Sequence, residues 1–229
     1  VSAEPQTPLL PMVLPNIKVS GLKKGRITLG HDQDEITYYA GYLFRHFLEQ
    51  AGFDFSGRVG IEPVVSQDRL VMAYRSRFTM DQVVARMLEY SNNFIANQVF
   101  MRVGAEQYGA PGTLEKGVRA AQAYAVNELG LDHVVIAEGS GISRANRITA
   151  RGMLKVVTAF KPYNTLMKKK GCLFYKTGHL RGIRTQVGFY QNREGVLYPY
   201  VILLNTPGKS MHPVAKQLEK ALKSSGRYS

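Results

Sequence analysis

The chain has 229 residues, of which 45% are hydrophobic and 21% charged, and it contains a single cysteine, Cys172. That length suits one large domain or one domain with a small appendage, and the lone cysteine excludes an intrachain disulfide and a cysteine-rich metal site. The formal net charge of +13 favours an anionic partner, such as nucleic acid, anionic lipid or an anionic wall polymer.

The beginning of the chain predicts an irregular lead-in. Residues 1–30 carry several prolines and short apolar stretches such as 17–19, which indicate an extended segment with short strands. Residues 1–15 lack the pattern of a signal peptide, and no run approaches the roughly 20 apolar residues of a membrane-spanning helix. We therefore expect no transmembrane segment.

Helical periodicity and strand-like runs alternate along the rest of the chain. Six helices are predicted, over 36–51, 80–90, 94–103, 114–129, 150–160 and 213–222. Strands are predicted over 59–65, 70–74, 134–137 (buried), 172–176, 185–191 and 197–205, with a hairpin turn at 192–195. A helical block followed by consecutive strands and a final helix favours an antiparallel sheet covered by helices.

Three short motifs are the candidates for chemistry. They are Ser91-Asn92-Asn93 at the end of the second predicted helix, Glu138-Gly139-Ser140-Gly141-Ile142-Ser143-Arg144 after the strand at 134–137, and Lys176-Thr177-Gly178 at the end of a strand. Each is weak alone, since Ser-x-Asn can be a plain helix cap and we expect the glycine loop, with Ser140 and Ser143, to be a structural turn. Ser-x-Asn followed by Lys-Thr-Gly is nevertheless typical of penicillin-recognising enzymes, which carry a Ser-x-x-Lys nucleophile upstream.

The sequence around these motifs resembles the class C penicillin-binding proteins, the D-alanyl-D-alanine carboxypeptidase/endopeptidase family. The resemblance covers about residues 35 to 205 and includes 91–100, 39–41 and 137–146, where the family typically has Asp-Gly-Ser-Gly-Leu-Ser-Arg. It implies an α/β fold of the α+β type, a DD-peptidase/β-lactamase-like sandwich with a mostly antiparallel sheet flanked by helices. Residues 1–34 would be a lead-in that returns from an upstream or inserted region, and 35–229 the penicillin-binding domain.

The resemblance also implies roles for the motif residues. Ser91 would relay a proton between catalytic lysines and the leaving amine, and Asn93 would orient the substrate amide. Lys176 would hold positive potential near the substrate carboxylate. The predicted catalytic residues are Ser91, Asn93 and Lys176, and the predicted substrate-binding residues are Thr177, Gly178 and His179. No His-Glu-x-x-His signature occurs and the five histidines are scattered, so we expect neither a metal nor another cofactor.

The nucleophile is where the sequence departs from the family. The only upstream Ser-x-x-Lys is Ser20-Gly21-Leu22-Lys23, whose glycine and β-type neighbours predict a turn rather than the helical turn that catalysis needs. We expect the chain to begin after the nucleophile motif, as a fragment or one piece of a cleaved protein, and the alternative is a protein that has lost catalysis. The segment between residue 160 and Lys176 is also shorter than in the family, so part of the active-site rim is expected to be missing.

The function implied by the resemblance is a serine-type D-Ala-D-Ala carboxypeptidase or endopeptidase that cleaves peptidoglycan through an acyl-enzyme, in the periplasm or otherwise outside the cytoplasmic membrane. Its partners would be peptidoglycan stem peptides ending in D-Ala-D-Ala, with β-lactams as inhibitors if the nucleophile is supplied. One alternative is a non-catalytic peptidoglycan-binding or scaffolding homologue. A second is a basic nucleic-acid binder, although the clusters at 23–24 and 168–170 lie in no recognisable nucleic-acid motif, so we expect no nucleic acid partner.

Overall fold

The computed structural model describes residues 8, 10–20 and 33–225, and its chain divides into two compact units between Tyr74 and Arg75. The first unit contains a short 3-10 helix, Pro11–Val13, followed by helices α1, Leu14–Ser20, and α2, Gln33–Gln50. The second contains helices α3, Met80–Tyr90; α4, Asn93–Tyr108; α5, Leu114–Asn127; α6, Ala150–Ala159; and α7, His212–Ser225. It also contains strands β1, Lys168–Lys170; β2, Leu173–Leu180; β3, Ile183–Gln191; and β4, Leu197–Leu204.

Residues 11–20 are helical, so the strand predicted at 17–19 was wrong, and most of the lead-in predicted over 1–30 lies outside the described residues. Pro11 opens the 3-10 helix, and Pro15 lies in the first turn of α1. Proline is well tolerated there because the N–H that it lacks has no partner within the helix. Ser20 ends α1, and the remainder of its Ser-x-x-Lys motif lies outside the described residues. The predicted domain boundary at residue 34 stays a prediction.

The segment after α2 is irregular, and the strands predicted over 59–65 and 70–74 do not form. Its β-type side chains are largely exposed; Val64 is 91% and Val71 85% exposed. Such residues form a strand only when another strand pairs with them, and within the described part of the first unit none does. The segment is held instead by Arg45 of α2, which donates to the carbonyls of Phe55 and Gly57 at 3.0 and 2.8 Å.

The helices of the second unit begin where their capping residues stand. Thr79 and Gln82 form a reciprocal capping box at the start of α3, and Thr149 accepts a hydrogen bond from the Gly152 N–H at the start of α6. Every helix predicted from the sequence is present, with boundaries that differ by a few residues. No helix within the described ranges is long and apolar enough to cross a bilayer.

The four strands form one antiparallel sheet in the order β1-β2-β3-β4. Asn192 closes the β3–β4 turn, since its N–H bonds to the Val196 carbonyl at 3.0 Å, as the predicted hairpin requires. Phe174 and Phe189 are paired across β2 and β3 and pack with Val157 of α6 in the core. On the other face, Leu218 and Leu222 of α7 line a small cavity with Leu173, Gln186, Tyr200 and Ile202. The predicted helix-covered antiparallel sheet is confirmed.

One further strand prediction was wrong and one strand was missed. Residues 134–137 contribute only an isolated bridge between Val135 and Arg147, and Val135 is 52% exposed rather than buried. Strand β1 consists of three lysines that the sequence indicated only as a basic surface cluster. Lysine is common on a short edge strand because its charge discourages pairing with another chain.

Candidate active site

Ser91 lies at the junction of two helices in an unusual backbone conformation. It follows the last residue of α3 and has φ 50° and ψ 51°, which makes it the one non-glycine residue with a positive φ in the described part of the chain. Its N–H and that of Asn92 both donate to the carbonyl of Met87. The left-handed conformation turns the chain sharply from α3 into α4, so the Ser91 side chain stands on a tight corner between the helices.

The middle residue of the Ser-x-Asn motif, rather than Ser91, caps the next helix. The Asn92 side-chain oxygen accepts a hydrogen bond from the Ile95 N–H at 3.0 Å. Asn93 is the first residue of α4, and its side chain is exposed. Because Asn92 provides the cap, the side chains of Ser91 and Asn93 are not needed for it.

Lys176 of β2 makes the contact that joins the two predicted motifs. Its Nζ donates to Ser91 Oγ at 2.6 Å, across 85 positions of sequence, and also to the backbone carbonyl of Thr177 at 2.6 Å. Burial lowers the pKa of Lys176 below its ordinary value, and the positive charge of Lys168 on β1 lowers it further. The structure therefore brings together a serine hydroxyl and a half-buried amine that releases its proton more readily than an exposed lysine.

The residues after Lys176 alternate between the two faces of the sheet. Lys176 and Gly178 pair with Val187 and Thr185 of β3, whereas Thr177 and His179 pair with Gln186 and Arg184. Successive side chains of a strand point to opposite faces, so Thr177 and His179 lie on the face opposite to Lys176. His179 contacts the Arg184 guanidinium there. The substrate-binding roles of Thr177, Gly178 and His179 stay predictions.

Strand β2 extends past its neighbour at this point. β1 pairs only with residues 173–175 of β2, whereas β3 pairs with all of 173–180. On the β1 side, no strand of the described residues pairs with 176–180. The segment that carries Lys176 therefore presents one edge at which an extended peptide could add as a strand.

Residues 138–146, named here the carboxylate loop, fold around the side chain of Glu138. The carboxylate accepts hydrogen bonds from the Ser140 N–H and hydroxyl at 2.7 and 2.5 Å, from the Gly141 and Ser143 N–H groups at 2.8 and 3.2 Å, and from the Asn146 amide at 2.7 Å. Partial burial raises the pKa of Glu138, but these hydrogen bonds outweigh it and lower the pKa to about 2. The loop is a structural turn organised by a carboxylate.

Glu138 belongs to one of the motifs singled out from the sequence, but no role was predicted for it, and the turn was expected to be made by the glycines and serines. The hydroxyl of Ser140 donates to that carboxylate, and the Ser143 hydroxyl accepts from the Ala145 N–H at 3.2 Å, so both serve the fold of the loop. An acidic residue directly before a Gly-Ser-Gly sequence is the signal that could have identified it, because the N–H groups of a tight turn converge on a nearby acceptor.

An open, largely apolar groove of about 610 Å³ lies between α4 and α5, and its lining contains neither Ser91 nor Lys176. The two helices approach closely beside it, since a Cβ on Gly104 would lie 2.4 Å from the Gly117 nitrogen. The chemically suitable groups of the second unit therefore lie at the corner between α3, α4 and β2, and not in this groove.

Comparison with known proteins gives a consistent set of relatives. The profile of the D-Ala-D-Ala carboxypeptidase 3 (S13) family matches residues 16–169, which include Ser91 and the carboxylate loop and end before Lys176. The D-alanyl-D-alanine carboxypeptidase DacB of Haemophilus influenzae is 23% identical over 192 residues, covering 73% of this chain and 40% of that protein. A D-alanyl-D-alanine carboxypeptidase of an Actinomadura species is 34% identical over 121 residues, covering 51% of this chain and 22% of that protein.

Solved structures show the same fold. The crystal structure of penicillin binding protein 4 (dacB) from Haemophilus influenzae has a TM-score of 0.64 at 20% identity and covers 79% of this chain and 45% of its own. The same protein complexed with a novel β-lactam has a TM-score of 0.61 at 21% identity, with 76% and 46% covered. The predicted fold class is thereby confirmed, and the chain spans less than half the length of each of these relatives.

Proposed function

The chain belongs to the D-Ala-D-Ala carboxypeptidase 3 (S13) family, and from that premise we propose that it forms the carboxylate-recognising and proton-relaying part of a serine-type D-Ala-D-Ala peptidase. Its substrates would be peptidoglycan stem peptides ending in D-Ala-D-Ala, outside the cytoplasmic membrane. The observation that carries the proposal is the 2.6 Å contact between Lys176 Nζ and Ser91 Oγ.

The Ser91–Lys176 pair suits proton transfer. The pKa of Lys176 is lowered, first by burial and then by Lys168, so loss of a proton from its amine costs less than it does for an exposed lysine. The Ser91 hydroxyl both donates and accepts, and can therefore pass a proton between Lys176 and the amine that leaves when the peptide bond breaks. In this proposal the two side chains supply general acid–base catalysis, and a separate serine attacks the carbonyl to form the acyl-enzyme.

Lys176 also supplies the charge that selects a terminal carboxylate. A protonated lysine has three donors, of which two go to Ser91 Oγ and the Thr177 carbonyl, so the third can bind the substrate carboxylate. The edge of β2 over 176–180 provides backbone groups for an extended peptide. Selection of a free carboxylate favours carboxypeptidase activity. The same catalytic steps would also cleave cross-linked peptides, which is endopeptidase activity.

The presence of a nucleophilic serine distinguishes this proposal from a non-catalytic alternative. The single upstream Ser-x-x-Lys of the sequence begins at Ser20, the last residue of α1, and is followed directly by Gly21. Glycine inside the Ser-x-x-Lys does not suit the helical turn that a nucleophilic serine–lysine pair needs, and if this is the native protein's own pair, the second candidate function is a peptidoglycan-binding homologue that recognises D-Ala-D-Ala without turnover. In the peptidase, a serine–lysine pair other than Ser20 and Lys23 would complete the site, and β-lactams would acylate that serine.

Penicillin labelling distinguishes the candidates. We expect the 229-residue chain to bind an acetylated tripeptide ending in D-Ala-D-Ala and not to be labelled by a fluorescent penicillin. The native protein, captured from its source with an antibody raised against this chain, should be labelled and should release D-alanine if it is a peptidase. A native protein that binds the tripeptide without labelling supports the non-catalytic homologue, and one that does neither contradicts both. Stoichiometric labelling of the 229-residue chain that is lost in Ser20→Ala would make Ser20 the nucleophile.

A further inference from the structure

The beginning of the carboxylate loop is attached to helix α4. The Gly139 N–H donates to the side-chain oxygen of Asn97 at 2.9 Å. Gly139 also packs against Phe100, since a Cβ at position 139 would lie 2.7 Å from the Phe100 Cβ. Because a glycine lets the two backbones approach this closely, the loop is seated on the helix that begins beside Ser91.

The interior of the carboxylate loop is held by Glu138. Its carboxylate takes five hydrogen bonds from within the loop, and the Asn146 side chain that donates one of them also accepts from the Ala137 N–H at 2.7 Å. Hydrogen bonds to a charged acceptor are about twice as strong as neutral ones. These hydrogen bonds hold the first and the last residues of the loop. Arg144, which lies between them, therefore keeps a fixed position relative to α4.

Arg144 connects the other side of the loop to the sheet. Its guanidinium Nη2 donates to the backbone carbonyl of Arg181 at 2.6 Å. Arg181 is the residue that follows β2, and it forms the tight β2–β3 turn with Gly182, whose φ is 79°. Lys176 lies five residues earlier on the same strand, so this hydrogen bond fixes the end of the hairpin that carries Lys176.

These contacts close a ring. The path leads from Ser91 through α4 to the carboxylate loop, then through Arg144 to the β2–β3 turn, along β2 to Lys176 and back to Ser91. We infer that the carboxylate loop is a strut between α4 and the β2–β3 hairpin, and that Glu138 and Arg144 are positioning residues for the Ser91–Lys176 pair. They act through the two elements that carry the pair and not by contact with it. The inference rests on the proposed function only for the catalytic role of the Ser91–Lys176 pair.

Loosening the strut has a consequence that can be observed at Lys176. If the hairpin moves away from α4, the Lys176 amine leaves Ser91 and becomes more exposed to water. Burial is the main reason why the pKa of Lys176 is lowered, and Lys168, which lies on the same sheet, stays in place. The pKa of Lys176 should therefore rise towards the ordinary lysine value when the strut is broken.

The test is an NMR titration of the lysine side chains in ¹³C-labelled chain, with the Lys176 signal assigned by its absence in Lys176→Arg. Arg144→Ala and Glu138→Gln should each raise the Lys176 titration midpoint. Arg144→Lys keeps a cationic donor at this position, so it should restore at least part of the shift in the midpoint. The matched control is Arg102→Ala, which removes an exposed arginine of α4 whose partner at 2.8 Å is Glu106 on the same helix. It should leave the midpoint unchanged.

An unchanged Lys176 midpoint in a folded Arg144→Ala chain overturns the inference, as does an equal rise in Arg102→Ala. Folding is monitored by circular dichroism, and if Glu138→Gln fails to fold, Arg144→Ala decides the question because it removes an exposed side chain. The titration requires no turnover and no ligand. It can therefore fail while tripeptide binding succeeds, or succeed while tripeptide binding fails, which separates this inference from the proposed function.

Discussion

Replacement of Ser91 by glycine and by alanine tests the backbone conformation on which the site depends. At φ 50° and ψ 51° an L-residue bears a steric cost of about 1–2 kcal/mol between its Cβ and the following carbonyl. Glycine avoids that cost but loses more chain entropy on folding, about 0.5–1 kcal/mol relative to alanine. The difference predicts that Ser91→Gly is more stable than Ser91→Ala by about 0.75 kcal/mol, within a range of about 0–1.5 kcal/mol. Both variants lack the hydroxyl, so the lost bond to Lys176 cancels in the comparison.

The assay is urea denaturation of the two variants, monitored by circular dichroism. Their midpoints can be compared if the free energy of unfolding has the same slope against urea in both. Gln98, an exposed residue inside α4, is the matched control position. There the order should reverse, with Gln98→Ala more stable than Gln98→Gly by about 1 kcal/mol, because alanine is the better residue within a helix. If alanine is at least as stable as glycine at position 91, Ser91 is not in the left-handed region and the proposed corner is wrong.

Two further predictions concern the elements around the pair. The pKa of Glu138 is about 2 in the folded chain and higher when unfolded, so its stabilising contribution is present at neutral pH and is lost as the pH falls towards 2. In denaturation series against pH, Glu138→Gln should be less stable than the parent chain at pH 7 and converge with it near pH 2, and a constant difference would contradict this. Asn92→Ala removes the cap of α4 and should cost about 0.5–2 kcal/mol, most of which Asn92→Ser should restore. An Asn92→Ala chain as stable as the parent would show that Asn92 does not cap α4.

The predicted helices succeeded where the sequence itself carries the start signal. Thr79 with Gln82, and Thr149, place a cap in front of an apolar stripe, and a cap is a local interaction that needs no distant partner. The strands predicted over 59–65 and 70–74 failed for the opposite reason. A strand exists only through pairing, and no local pattern tells whether a partner is present.

The sequence likewise indicated some features of the candidate site and not others. The sequence identified Ser91 and Lys176 as candidate catalytic residues, and the structure places Lys176 Nζ 2.6 Å from Ser91 Oγ. The sequence indicated neither the left-handed conformation of Ser91 nor the charge of Lys168 that acts on Lys176. Both depend on how separate elements meet: β1 was not predicted, and the junction between the helices predicted over 80–90 and 94–103 was expected without its backbone conformation. The link from Arg144 to Arg181 spans 37 positions and follows from no motif.

The most direct test of the central claim is the binding of an acetylated tripeptide ending in D-Ala-D-Ala, compared with its C-terminal amide, to the parent chain and to Lys176→Ala. Loss of a hydrogen bond to a charged group costs about 1.5–3 kcal/mol, or roughly tenfold to hundredfold in Kd. Ligand-observed NMR gives both affinities, and Lys216→Ala, which alters an exposed lysine of α7, is the matched control. We expect Lys176→Ala to weaken binding of the free acid by that factor and to leave binding of the amide nearly unchanged. An equal loss for both ligands, or no loss for either, would contradict recognition of the carboxylate by Lys176.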